Sequence, residues 1–156
     1  MNRRSVLAGA GVLGALGTGI VGYELFRRTP PTPDPVTDAE FETSYVIGSD
    51  PRIEEGPLID ISRTESMIEV SGAFTVGNEC YEARIDNIEH NADTDELIVS
   101  FVGQQKPFWE RGTGCDDADI ANEYWLSVVV DPMPDVVTAR ELDPWNEYST
   151  RVETDS

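Results

Sequence analysis

The chain has 156 residues, room for one domain with short appendages. It carries 30 acidic against 11 basic residues, for a net charge of −19. A surface of that sign repels DNA, RNA and anionic lipid, which excludes nucleic-acid binding as a function class. The first 28 residues hold Arg3, Arg4, Arg27 and Arg28 and one acid, Glu24, which leaves seven cations against 29 acids, or −22, for the remainder. Lys106 is the only lysine. Uniform acidity with almost no lysine is the composition of a protein that stays soluble in concentrated salt, where charges are screened to within about 3 Å at 1 M.

The chain opens with an export segment. Arg3 and Arg4 precede an uncharged, glycine-rich run over residues 5–23, which resembles a twin-arginine signal. At 1.5 Å per residue that run spans about 28 Å, close to the apolar core of a bilayer. The small-residue triplets lie inside the run, too early for cleavage, and Glu24 to Arg28 offer no such site. Residues 1–28 are therefore expected to form a hydrophobic helix that stays as a membrane anchor, with the rest of the chain outside; cleavage would make the protein secreted. Residues 29–40 begin TPPTPDP and form a proline-rich linker, extended at about 3.1 Å per residue.

From Phe41 onward short apolar runs alternate with polar turns. Strands are expected over 41–47, 58–62, 67–76, 81–88, 97–102, 123–130 and 136–139. In the third, Ile68, Val70 and Phe74 face one way, and Gly72 falls on the same apolar side, where a neighbouring aromatic can approach closely. In the fourth, Ile88 breaks the alternation of Tyr81, Ala83 and Ile85, which implies a bulge near Asn87. The runs at 97–102 and 123–130 are apolar on both faces and read as central strands. About seven strands and no amphipathic helix point to an all-β fold, an antiparallel β-sandwich of immunoglobulin-like style over 41–140. Residues 141–156 read as an acidic C-terminal tail.

Cys80 and Cys115 are the only cysteines. Export places them in an oxidising compartment, so a disulfide is the default. It would close a loop of about 36 residues and stabilise by about 3–4 kcal/mol. Zinc needs four ligands and blue copper two histidines, and His90 is the single histidine. No cofactor is implied. Two acidic turns are weak calcium candidates: Asp93 and Asp95 in one, and Asp116, Asp117 and Asp119 beside Cys115 in the other. Neither has the glycine and glutamate of an EF-hand loop, and in so acidic a chain a solvated surface is the simpler reading.

The aromatics available to line a binding surface are Phe108, Trp109, Trp125 and Trp145. Phe108 and Trp109 lie in the long loop after Lys106-Pro107; they either meet a partner or a glycan, or cap the open end of the sandwich. No nucleophile elbow, zinc-protease motif or phosphate loop is present, and no catalytic residue is assigned.

The run Gly77-Asn78-Glu79-Cys80-Tyr81-Glu82-Ala83-Arg84, followed by Asn91-Ala92-Asp93-Thr94-Asp95-Glu96-Leu97-Ile98-Val99, resembles small exported haloarchaeal proteins. Those carry a GN-x-CY-x-A strand, an acidic AD-x-DEL turn and a later cysteine. The resemblance covers about residues 65–130. It implies a disulfide-bearing β domain outside the membrane and no particular reaction. Many of those proteins have a lipid-attachment cysteine near the N-terminus; its absence here favours a peptide anchor. The expectation from sequence is a membrane-tethered interaction or accessory module with a protein partner and no enzyme activity. The alternatives are an envelope binding protein for calcium or a small solute, and a hydrolase built around His90.

Overall fold

A computed structural model describes residues 30–46, 51–111 and 114–154. The expected export segment, 1–28, lies outside the described residues. Among the described residues no helix is long and apolar enough to cross a membrane.

Among the described residues, eight strands form two four-stranded sheets. They are β1 (Val36–Tyr45), β2 (Leu58–Ser62), β3 (Met67–Gly77), β4 (Tyr81–Asn91), β5 (Glu96–Gln105), β6 (Ile120–Val130), β7 (Val136–Leu142) and β8 (Glu147–Glu153), with one 3-10 turn at Pro51–Glu54. The first sheet has the order β1-β6-β3-β2 and the second β4-β5-β7-β8. All pairs are antiparallel except β5 with β7. The two sheets share one core in a sandwich-like arrangement. An immunoglobulin sheet sets its first strand beside its second; here β1 lies against β6.

The two runs that are apolar on both faces are indeed central: β6 between β1 and β3, and β5 between β4 and β7. Period-2 alternation sets their inner faces. Ile68, Val70, Phe74 and Val76 of β3 and Tyr124, Leu126, Val128 and Val130 of β6 meet Ala83, Ile85 and Ile88 of β4, Leu97, Val99 and Phe101 of β5, and Val137 and Ala139 of β7. The phase break in β4 is a register shift between Ile85 and Asn87, where the ladder with β5 skips a residue.

The expectation of an acidic tail from residue 141 is corrected. The strand begun at Val136 runs on to Leu142, and β8 pairs with it from Glu147 to Glu153. In β8 exposed and half-buried residues alternate and none is fully buried, so it carries no apolar signal. Backbone pairing and end contacts hold it instead. The Thr154 carbonyl accepts from Arg63 Nε at 2.8 Å, and its hydroxyl donates to the Pro134 carbonyl at 2.6 Å. The strand begun near Phe41 likewise starts earlier, at Val36, inside the proline-rich linker, where Val36 N donates to the Pro33 carbonyl at 2.8 Å.

At one end of the sandwich the sheets nearly touch. A Cβ built on Gly103 of β5 falls 2.1 Å from the Val76 carbonyl oxygen of β3, so only glycine fits. Backbone lies on both sides and cannot give way. Gly103→Ala should therefore lose about 2–3 kcal/mol of stability in urea unfolding. Gly114→Ala, with nothing within 4 Å of its Cβ, should stay within about 0.5 kcal/mol of the parent.

Candidate functional site

The loop between β5 and β6 crosses from one sheet to the other at the end of the sandwich where β1 and β3 also finish. Its two ends are fixed. Cys80 and Cys115 form the expected disulfide, with Cα atoms 5.5 Å apart, a bond that fits folding in an oxidising compartment. Cys80 is buried and Cys115 stands in the exposed part of the loop. The Lys106 N–H donates to the Cys80 carbonyl at 2.7 Å, and its ammonium donates to the Glu79 carbonyl at 2.8 Å and to the Tyr45 hydroxyl. That ammonium also lies 4.6 Å from the centre of the Tyr45 ring. Burial holds the Lys106 amine below its usual pKa, and Glu110 acts against that shift. Arg111 Nε donates to the Lys106 carbonyl at 2.6 Å and closes the turn, together with Glu110 N on the Pro107 carbonyl at 3.0 Å.

That turn carries Phe108 and Trp109 outward. Phe108 is 76% exposed and Trp109 43%, with ring centroids 4.9 Å apart and planes at 82°. Neither ring belongs to the core cluster, and both are presented to solvent. Tyr45, 51% exposed, lies at the same end of the sandwich. The arrangement is a rigid base with an unburied aromatic tip. Trp145 is also exposed, at the tip of the turn between β7 and β8.

The acidic turns have other work. In the turn from β4 to β5, Asp95 adopts a left-handed backbone (φ 45°), which aspartate tolerates better than most residues. One of its carboxylate oxygens lies 2.7 Å from His90 Nε2 and the other accepts the Asp135 N–H at 3.1 Å. His90 is thereby engaged as a turn staple. Asp93 N donates to Asn91 Oδ1 at 3.0 Å, the bond of an Asx turn. Asp116, Asp117 and Asp119 are exposed in the disulfide loop, where Asp116 N donates to Glu79 Oε1 at 3.2 Å. Among the described residues, no group of three or more His, Cys, Asp or Glu side chains is placed to hold a metal ion.

Sequence reasoning places Glu141 in the tail and does not single it out. It is fully buried between the sheets. Tyr124 of β6 donates its hydroxyl to Glu141 Oε1 at 2.8 Å, while Oε2 has no partner. Gly72 makes room: a Cβ there would sit 2.1 Å from Oε1 and 2.7 Å from the Tyr124 hydroxyl. The close approach read at Gly72 is thus to Tyr124 and, unforeseen, to a carboxyl group. Burial pushes the Glu141 pKa up to about 7; the Tyr124 bond opposes the shift and Asp143 adds to it. Burial also drives the Tyr124 phenol far above its usual value, helped by Glu141. The carboxyl is buried, and its hydrogen bond with Tyr124 ties β7 of one sheet to β6 of the other. Compared with family models, curated proteins and solved structures, the chain has no significant match.

Two outcomes follow from this geometry. The folded state holds the Glu141 proton up to about pH 7, whereas the unfolded chain releases it near its ordinary value of 4.5. Stability contributed at this site is therefore full below pH 4.5 and falls as pH rises to 7, by an amount on the order of 3 kcal/mol. Glu141→Gln keeps an acceptor for Tyr124 and should remove that downward slope, read as the difference between variant and parent in denaturant unfolding across pH 4–8. Replacing Cys80 and Cys115 together by Ala should cost about 3–4 kcal/mol and speed amide exchange through residues 106–119.

Proposed function

We propose that the protein is a membrane-tethered, extracytoplasmic interaction module that engages a protein partner through the Phe108–Trp109 tip. The single observation that carries this reading is the exposure of two aromatics in edge-to-face contact on a loop whose base is fixed by a disulfide and by Lys106. Large aromatics held in one conformation lose little entropy on binding and are the commonest anchors at protein interfaces. Two adjacent exposed aromatics on one loop form an apolar tip of the kind that marks interaction sites.

The tether in this proposal is the twin-arginine-type segment 1–28, as an uncleaved hydrophobic helix, with the proline-rich linker holding the domain away from the bilayer. The acidic, lysine-poor surface suits a salt-rich exterior, in keeping with the resemblance to exported haloarchaeal proteins. No catalytic constellation supports an enzyme reading. An envelope solute-binding role is the second reading, and a different face of the molecule, described below, favours it.

Cross-linking in intact cells at native salt, followed by pull-down of tagged full-length protein from membranes, tests the leading reading. One stoichiometric partner is expected, and Phe108→Ala with Trp109→Ala should reduce its recovery at least tenfold without changing Tm by more than a few degrees. Recovery of no partner above background, or of the same partner by the double variant, would overturn it.

A further inference from the structure

The outer face of the first sheet carries a groove of about 690 Å³, on the opposite side of β6 from the core and sharing no lining residue with the Phe108–Trp109 loop. The β6 alternation that buries Tyr124, Leu126 and Val128 turns Trp125, Ser127 and Val129 outward. Register sets their neighbours. Glu42 of β1 stands beside Trp125, and Glu40 of β1 and Glu69 of β3 stand on either side of Ser127. Glu65, from the turn before β3, adds a further carboxylate.

Three observations give this groove a chemistry. None of the residues lining it is a cation, so its carboxylates repel one another with no internal counter-charge. Its floor is aromatic and apolar, from Trp125, Val129 and Met67. The third concerns Ser127, which is only 8% exposed, yet its hydroxyl has no hydrogen-bond partner among the described residues. That hydroxyl stands on the groove wall, open to a hydrogen bond from a molecule lying in the groove. Volume in this range suits a small molecule.

An inorganic cation fits poorly, because these carboxylates do not converge into a metal-holding group. Strands lie about 4.8 Å apart, so the backbones bearing Glu40 and Glu69 are about 10 Å apart across β6, and Glu42 lies about 7 Å along β1 from Glu40. Negative points at such intervals above a greasy floor match a linear aliphatic polyamine. Its ammonium groups would pair with the carboxylates, its methylene segments would lie on Met67 and Val129, and one ammonium would sit over the Trp125 face. An amine N–H would donate to the Ser127 hydroxyl.

We propose that this groove is a binding site for linear aliphatic polyamines, with Glu40, Glu42 and Glu69 as charge partners, Trp125 as platform and Ser127 as the central acceptor. The site stands apart from the Phe108–Trp109 tip, and the Phe108→Ala/Trp109→Ala protein should bind polyamine as the parent does.

Titration calorimetry of full-length protein with spermidine, at about 50 mM and about 500 mM salt, tests the proposal. Saturable binding near one equivalent is expected, weakening at high salt. Glu40→Gln with Glu69→Gln, and separately Trp125→Leu, should each weaken it at least tenfold. Glu147→Gln with Glu153→Gln, on the other sheet, should leave it unchanged. All of these positions are on the surface, and an unchanged Tm confirms that each variant folds. Three results would overturn the proposal: no saturable binding at low salt, equal affinity in the groove variants and the parent, or a response that Mg²⁺ reproduces at the same ionic strength, which would mark generic screening of an acidic protein.

Discussion

The two sheets meet around a carboxyl group. Glu141 of β7 sits beside Phe101 in the parallel pairing of β5 with β7, and opposite them lie Tyr124 of β6 and, next to it, Gly72 of β3. Phe101 and Tyr124 stack at 4.0 Å, and Phe41 and Phe74 complete the aromatic layer around the Tyr124 ring. A tyrosine hydroxyl can be buried here only because the carboxyl accepts its hydrogen bond, and the carboxyl fits only because position 72 has no side chain. An ionised carboxylate with one free oxygen would be costly in such a place, so burial and the raised pKa are two expressions of the same constraint. Each of the four residues comes from a different strand, two from each sheet, and the contact thus fixes how the sheets face each other.

Much of this architecture was legible in the sequence. The bounds of β2, the central places of β5 and β6, the bulge in β4, the close approach at Gly72 and the Cys80–Cys115 bond all follow from period-2 alternation and from the chemistry of single residues. The C-terminal part was not legible. Glu141 looks like the start of a polar tail, because nothing local shows that Tyr124, 17 residues earlier, awaits it. β8 is an edge strand with no fully buried side chain, held by backbone pairing with β7 and by Arg63 and Thr154, and that kind of stabilisation leaves no hydrophobic pattern. The parallel β5·β7 pair is likewise invisible to local signals, since the strands are separated by all of β6.

The candidate surfaces divide the same way. That Phe108 and Trp109 belong to a functional loop could be read from their place between strands, but their exposure depends on how Lys106, Arg111 and the disulfide shape the base of the turn. The groove around Trp125 was harder still. Its carboxylates come from separate strands and only sheet register gathers them, so in sequence they are indistinguishable from the general acidity of the chain. Acidity therefore has two roles here. On turns such as that of Asp95 it is absorbed into backbone and histidine contacts. On the outer face of the first sheet it is concentrated around an aromatic floor with no cation to offset it.

Site-directed photo-cross-linking tests the functional account most directly. A photoreactive amino acid would be placed at position 109 and, in a separate protein, at position 145, both exposed tryptophans at turn tips, and activated in intact cells at native salt. The account predicts a single discrete adduct from position 109 and none from position 145. Identical adducts from both positions, or none from either, would contradict a recognition surface at the Phe108–Trp109 tip.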